Sequence, residues 1–216
     1  MRQVSTQAGL AVFGGTFNPI HHGHLRSALE LLEYLPINEL RFMPCSQPPH
    51  RDTPATSAAQ RAAMVELAIA GEPRFSCDTR ELKRDGPSYT YDSLRSLRDE
   101  IGPRRSLVLA MGCDALLGLN RWHRWQELLG CCHIVAMARP GWEWPTGGEV
   151  SNVLSEHRVS ADALAGRPSG GVCVAELRQL DISATEIRSL LQSGRSARYL
   201  VPDGVHTYIQ QNGFYK

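Results

Sequence analysis

Two hydrophobic periodicities alternate along this chain and restrict the folds open to it. Six short apolar runs, at residues 10–14, 40–44, 74–77, 106–111, 133–138 and 172–176, are separated by stretches with helical spacing. Runs this short, apolar on both alternating faces, read as buried strands. After the first run, Leu25, Ala28, Leu29 and Leu32 fall on one helical face. A second helix is expected over residues 57–71, ending at Gly71, and a third over 90–101 with Leu94 and Leu97 inward. The stretch "WHRWQELLG", residues 122–130, reads as a fourth. Strands that alternate with helices must be joined by crossovers rather than hairpins. The expected fold class is therefore α/β, a Rossmann-like doubly wound parallel sheet with helices on both faces. Residues 139–148 and 166–171 are rich in Gly and Pro and read as loops. With 216 residues and no internal repeat, low-complexity tract or visible boundary, one domain is expected, with a C-terminal helical portion from about residue 182.

Composition narrows the function classes. Lys and Arg number 23 against 22 Asp and Glu, a net charge of +1. Such balance gives no reason to expect a nucleic-acid or membrane-surface binder. The longest apolar runs, such as "LVLAMG", are far too short to cross a bilayer, and "MRQVSTQAG" does not read as a secretory signal. The six cysteines form no C-x-x-C pair and lie mostly within or beside apolar runs. Small buried thiols in a reducing cytoplasm fit them better than a disulfide framework or a zinc site.

The chemistry concentrates in "GGTFNPIHHGH", residues 14–24, at the carboxyl end of the first strand. Doubly wound sheets bind ligands there. Gly14 and Gly15 have no Cβ and let backbone amides approach a ligand. Pro19 fixes one turn, and a helix start near residues 22–24 offers free amides and the positive end of its dipole to an anion. His21 and His24 are spaced to share a face; His22 between them is expected to point away. Two imidazoles at a phosphate site can donate hydrogen bonds to charge that grows in a transition state. The bland alternative is a tight turn with incidental histidines, since the run is neither G-x-G-x-x-G nor a P-loop. A metal site is disfavoured because no nearby Cys or carboxylate completes the pair.

Other segments carry both a structural and a functional reading. In "ISATEIR", residues 182–188, Ser183 and Glu186 form a capping-box pattern, with Ile187, Leu190 and Leu191 toward the core and Gly194 as a stop. "SQPPHR" places His50 and Arg51 on a proline-stiffened loop after the second strand, either as a solvated surface or as phosphate contacts. Asp114 follows the most apolar strand, as a helix N-cap or as a partner for ribose hydroxyls. Trp122 and Trp125 are spaced as a core-packing pair, and Trp142 and Trp144 as shields of a core edge or interface. Thr90 reads as a helix start beside a packed aromatic, and Arg139 as a solvated charge or a ligand contact.

Taken together, these motifs resemble the nucleotidyltransferase superfamily whose signature is H-x-G-H, here residues 21–24, followed far downstream by I-S-x-T-x-x-R, here residues 182–188. Within it the chain is similar over nearly its whole length to the bacterial nicotinate-nucleotide adenylyltransferases. Their P-P-H-[KR] appears as Pro48-Pro49-His50-Arg51, their S-Y-T as Ser88-Tyr89-Thr90, and their R-P-G as Arg139-Pro140-Gly141. Their G-x-D-x-L with a trailing Trp pair appears as "GCDALLGLNRWHRW". Two small departures are Asn18, where Asp is commoner, and Ala184, where Ser is common.

The resemblance implies adenylyl transfer from ATP to nicotinate mononucleotide, giving nicotinate adenine dinucleotide and pyrophosphate in NAD biosynthesis. It implies catalytic roles for His21, His24 and Arg188. It assigns ATP and phosphate contacts to Gly14, Gly15, Thr16 and Phe17, to His50 and Arg51, to Gly112, and to Ile182, Ser183 and Thr185. It assigns the mononucleotide to Thr90, Asp114, Trp122 and Arg139, with Trp122 stacked on the pyridine and Trp125 structural. Mg²⁺ is expected on the ATP phosphates rather than on protein ligands. The competing readings are sister enzymes acting on phosphopantetheine or on the amide mononucleotide, a non-catalytic nucleotide-binding regulator, and a tRNA-handling relative of the synthetases. The SYT and tryptophan motifs count against phosphopantetheine, the intact His21, His24 and Arg188 against the regulator, and the balanced charge against tRNA.

Overall fold

A computed structural model describes residues 8–46, 56–84, 86–139, 141–143 and 147–216. Six strands form one sheet: β1 (Gly9–Gly15), β2 (Ile37–Pro44), β3 (Phe75–Cys77), β4 (Leu107–Gly112), β5 (His133–Ala138) and β6 (Val172–Glu176). Their spatial order is β3-β2-β1-β4-β5-β6 and every pairing is parallel. In mid-sheet, Val12 of β1 lies opposite Arg41 on one side and Leu109 on the other. Chain order reverses between β1 and β4. That switch point leaves a crevice beyond the carboxyl ends of those two strands.

Alternating side chains on each strand divide the interior into two cores. On one face Ala11, Phe13, Leu40, Phe42, Val108, Ala110 and Val135 meet helices α1 (His22–Tyr34) and α2 (Ala58–Ile69). Two later helices complete this face: α7 (Ala184–Gln192), through Ile187, and α8 (Asp203–Asn212), through Val205 and Ile209. On the other face Leu10, Val12, Leu107, Leu109, Met111, Ile134 and Ala136 meet α3 (Thr90–Ile101), α4 (Cys113–Leu117), α5 (Leu128–Cys131) and α6 (Glu149–Glu156). The sheet is thus covered on both sides, and its central strands read as near-continuous apolar runs. Among the described residues no helix is long and apolar enough to cross a membrane.

Three local expectations differ from the structure. In α1 the fully buried stripe is Ala28, Leu31 and Leu32, with Leu25 packed at its edge and Leu29 half-buried. Residues 122–130 do not form one helix. Arg124 is left-handed (φ 53°), and the segment breaks into a 3₁₀ turn at Trp125–Glu127 followed by α5. The break is held by a side-chain knot: the Arg124 guanidinium lies 4.1 Å over the Tyr91 ring and pairs with Glu127, which also accepts the Tyr91 hydroxyl at 3.1 Å. Finally, α6 begins directly after the Gly-rich loop, where no helix was expected. Its Leu154 is buried, and Val150 and Val153 pack on the same core.

Candidate functional site

The crevice is a cleft of about 1780 Å³ lined from β1, β4, α1, α3, α4, α7 and the C-terminal residues. Its floor is the β1–α1 turn. His21 caps α1 in extended conformation (φ −148°, ψ 171°), and its carbonyl accepts the His24 and Leu25 N–H groups at 3.0 and 3.2 Å. The His21 and His24 rings stack, with centroids 3.7 Å apart. The His21 N–H donates to His24 Nδ1 at 3.3 Å. That bond reserves Nδ1 as an acceptor, so in the neutral ring Nε2 carries the proton and becomes the donor. Burial, with a smaller contribution from the nearby His22, pushes the His21 pKa down to about 4. Burial also holds His24 well below its usual value, with His21 adding to the effect. Its surroundings explain this: Phe13 and Phe17 present edges to the His24 ring at 5.9 and 5.1 Å. Both imidazoles are therefore neutral at pH 7.

Two glycines hold this geometry. A Cβ at Gly15 would lie 2.8 Å from the Phe17 ring, whose backbone is itself left-handed (φ 49°). A Cβ at Gly23 would lie 3.0 Å from His21 Nδ1, 3.1 Å from its Cε1 and 3.4 Å from the Ile182 carbonyl. The glycine of H-x-G-H is thus the point where the first motif meets the second. His21 Nδ1 is buried and makes no hydrogen bond among the described residues.

The second motif closes the cleft from α7. Ser183 caps the helix by accepting the Glu186 N–H at 3.1 Å; the reciprocal Glu186 half of the expected capping box is not among the described bonds. Arg188 donates from Nη1 to the Asn18 carbonyl at 2.9 Å and from Nη2 to Thr185 Oγ1 at 3.3 Å, binding α7 to the β1–α1 turn. Asn18 is a hub, for its Oδ1 accepts the Thr56 hydroxyl at 2.7 Å and the Tyr215 hydroxyl at 2.6 Å.

On the β4 side, Gly112, not Asp114, occupies the N-cap of α4. Asp114 sits in the first turn, exposed and facing the cleft, so the N-cap reading of it is corrected. Trp122 is half-buried at the cleft wall, whereas Trp125 is 9% exposed and packs into the second core. The break at Arg124 separates their directions. Trp142 also packs on that core's edge; Trp144 lies outside the described residues. Thr90 opens α3 on the cleft wall beside Tyr89, whose ring lies 4.5 Å from that of His123. Behind them Glu81 is buried, accepts the Ser93 hydroxyl at 2.7 Å, and has its carboxyl raised by burial against the hydrogen bonds of Ser93 and Ser88.

The structure therefore brings Gly14, Gly15, Thr16, Phe17, His21, His24, Thr90, Gly112, Asp114, Trp122, Ile182, Ser183, Thr185 and Arg188 to one cleft. His50 and Arg51 lie outside the described residues. Arg139 does not line the cleft. It follows β5 with its side chain 70% exposed, 3.8 Å from Asp181 and donating to Gln179 at 3.2 Å. Sequence reasoning missed Thr56, Glu81, His123 and Tyr215, which carry no motif of their own.

A switch-point cleft with an H-x-G-H helix start facing an I-S-x-T-x-x-R helix start defines a nucleotide-binding α/β protein of the nucleotidyltransferase kind. The cytidylyltransferase-like family matches residues 12–190. A Cellvibrio japonicus protein named "Probable nicotinate-nucleotide adenylyltransferase" is 49% identical over 207 residues, covering 96% of this chain and 98% of that one. A protein of the same name from Pseudomonas aeruginosa PAO1 is 45% identical, covering 96% of this chain and 97% of its own. The chain belongs to the cytidylyltransferase-like family and, within it, to the nicotinate-nucleotide adenylyltransferases. The fold is shared with the Plasmodium falciparum nicotinic acid mononucleotide adenylyltransferase in its complex with NaAD, at a TM-score of 0.70, 17% identity, and coverage of 96% and 97% of the two chains.

Proposed function

We infer that this chain transfers the adenylyl group of ATP to nicotinate mononucleotide, producing nicotinate adenine dinucleotide and pyrophosphate in NAD biosynthesis. Its near-full-length identity to relatives bearing that name supports the reading. So does one structural observation: the two motif helices α1 and α7 start against each other at Gly23 and Ile182, with His21, His24 and Arg188 on the shared cleft.

The mononucleotide phosphate is already an anion at neutral pH. Its oxygen attacks the α-phosphorus in line, the bond from that phosphorus to the bridging oxygen breaks, and pyrophosphate leaves with the electron pair. No general base or covalent intermediate is required, so the protein's work is positioning and charge stabilisation. The His24 Nε2–H donates to the phosphoryl oxygens, and Arg188 and the α7 amides hold the leaving pyrophosphate. A neutral His24 ring suits this role because Nδ1 accepts the His21 N–H while Nε2–H stays free to donate. Trp122 stacks on the pyridine ring and Asp114 takes ribose hydroxyls. His50 and Arg51 extend the polyphosphate site.

The substrate enters as its Mg²⁺ complex. Among the described residues the acidic side chains lining the cleft are Asp114 and Glu81, and Glu81 is engaged with serine hydroxyls. That donor set suits an ion held mainly by phosphates and water. The enzyme works in the cytoplasm, in keeping with six free thiols, of which Cys131, Cys132 and Cys173 are buried.

Replacing His24 by Ala tests the reading. It is expected to lower kcat at least about 10²-fold, the scale for losing one preorganised donor. A folded variant with near-normal release of pyrophosphate from ATP and nicotinate mononucleotide would sink the proposed role.

A further inference from the structure

Arg61 is a buried guanidinium with no carboxylate partner among the described residues. It is 1% exposed and sits on the apolar face of α2 beside Met64 and Val65. Among the described residues no carboxylate lies within ion-pair distance of it, and its Nε–H has no partner. Its other nitrogens are spent on backbone. Nη1 donates to the Thr16 carbonyl at 2.6 Å, and Nη2 to the carbonyls of Cys45 at 2.7 Å and Ser46 at 3.1 Å. Those carbonyls lie just past the carboxyl ends of β1 and β2, the edge of the crevice. Arg61 itself is not in the lining; it lies behind it.

The helix that carries it is fixed in place. Ser57 and Gln60 close a reciprocal capping box at its start, with bonds of 3.2 and 2.8 Å. In a trans peptide the C=O and the following N–H point in opposite directions. Holding the Thr16 carbonyl from behind therefore turns the Phe17 N–H the other way. The Cys45 N–H does the same for the next peptide back, donating to the Gly15 carbonyl at 3.0 Å, which turns the Thr16 N–H away from β2. Burying an unpaired guanidinium is costly unless something compensates its charge. A triphosphate in front of the turn would do so.

We propose that Arg61 is a positioning residue for the polyphosphate: it sets the peptides of the Gly14–Phe17 turn and supplies a fixed positive charge behind them. The proposal rests on the cleft's assignment to ATP. Arg98 supplies the control. It too staples backbone, donating to the carbonyls of Cys131 (2.8 Å), Gly102 (3.0 Å) and Pro168 (2.7 Å), but these precede β4, β5 and β6 at the opposite edge of the sheet.

The test compares Arg61→Gln, Arg61→Lys and Arg98→Gln with the wild type, using calorimetric binding of pyrophosphate and of adenosine, steady-state kinetics and melting temperature. Arg61→Gln is expected to weaken pyrophosphate at least about tenfold and to raise KM for ATP, with adenosine affinity held within about twofold. Arg61→Lys keeps the charge and is expected to restore most of the pyrophosphate affinity while kcat stays depressed, because the forked geometry is lost. Arg98→Gln is expected to lower the melting temperature and leave pyrophosphate binding unchanged. Undiminished pyrophosphate affinity in Arg61→Gln overturns the proposal, as does an equal loss for adenosine. If Arg61→Gln does not fold, the lysine variant decides: pyrophosphate affinity down tenfold or more despite the kept charge overturns it. Wild-type protein that binds no pyrophosphate would overturn the ATP assignment itself, a result distinct from either.

Discussion

Substituting Gly23 by Ala separates the two duties of the H-x-G-H helix start. In a helix the change by itself favours folding by about 1 kcal/mol. The new methyl, however, would stand 3.0 Å from His21 Nδ1 and 3.4 Å from the Ile182 carbonyl. Neither neighbour is a flexible tip. His21 is buried and stacked on His24, and Ile182 leads into α7, so the contact must be relieved by a shift of a few tenths of an ångström in the imidazole pair or in α7. Overpacking of this kind costs about 1–3 kcal/mol. The net effect on stability is then between roughly zero and about 2 kcal/mol, a melting temperature lowered by no more than roughly 8 °C. Activity is more sensitive. A misplacement of about 1 Å costs about 10²-fold, so a shift a third to a half as large should reduce kcat about 4- to 10-fold. Pyrophosphate release under saturating ATP and nicotinate mononucleotide, run beside a thermal melt, reads both. A folded variant with wild-type kcat would refute the claim that this contact sets the catalytic geometry.

Other expectations follow from the same geometry. His21, His24 and His133 all have depressed pKa values, chiefly through burial. Above 6.5 neither state takes the proton; below it the unfolded chain binds protons that the folded chain refuses, so unfolding free energy should fall as pH drops. For His21 the loss spans 6.5 down to about 4 and amounts to about 3 kcal/mol. Chemical denaturation across that range checks it, and a flat profile would contradict the burial argument. Trp122→Ala should raise KM for the mononucleotide about tenfold or more, the scale of one lost stacking contact, with little change in melting temperature. Trp125→Ala should instead cost about 3–5 kcal/mol of stability. The reverse pattern would exchange their assignments. His133→Ala removes the acceptor for the Gly171 N–H (2.9 Å) and the partner of the Arg167 carbonyl (3.0 Å). It should cost about 1–3 kcal/mol and leave KM for ATP unchanged.

Much of this molecule could be read from its residues because its signals are local. The runs at 133–138 and 172–176 coincide with β5 and β6, and the other strands differ by a few residues at their ends. Ser183 announced its helix through a cap that needs only nearby atoms. What escaped depends on distant partners. Residues 122–130 look helical alone, but Tyr91, more than thirty residues earlier, helps hold Arg124 and Glu127 in a broken turn. Arg61 left a trace that could have been used: a charge on an otherwise apolar helix face, flanked by Ala62, Met64 and Val65. Tyr215 left none, because a hydroxyl reaching Asn18 across 197 positions has no sequence period. Arg139 is the opposite case, a residue with a motif behind it that is not among the residues lining the cleft.

The cleft joining the two motif helices transfers adenylyl groups to a pyridine mononucleotide acid. The most direct measurement supplies ATP and Mg²⁺ with nicotinate mononucleotide, its amide and phosphopantetheine in parallel, and follows pyrophosphate release with product identification. Fast release with the acid, forming nicotinate adenine dinucleotide, and much slower release with the other two is the expected result. Equal rates with acid and amide would contradict the acid preference, and no release with any of the three would contradict the account at its root.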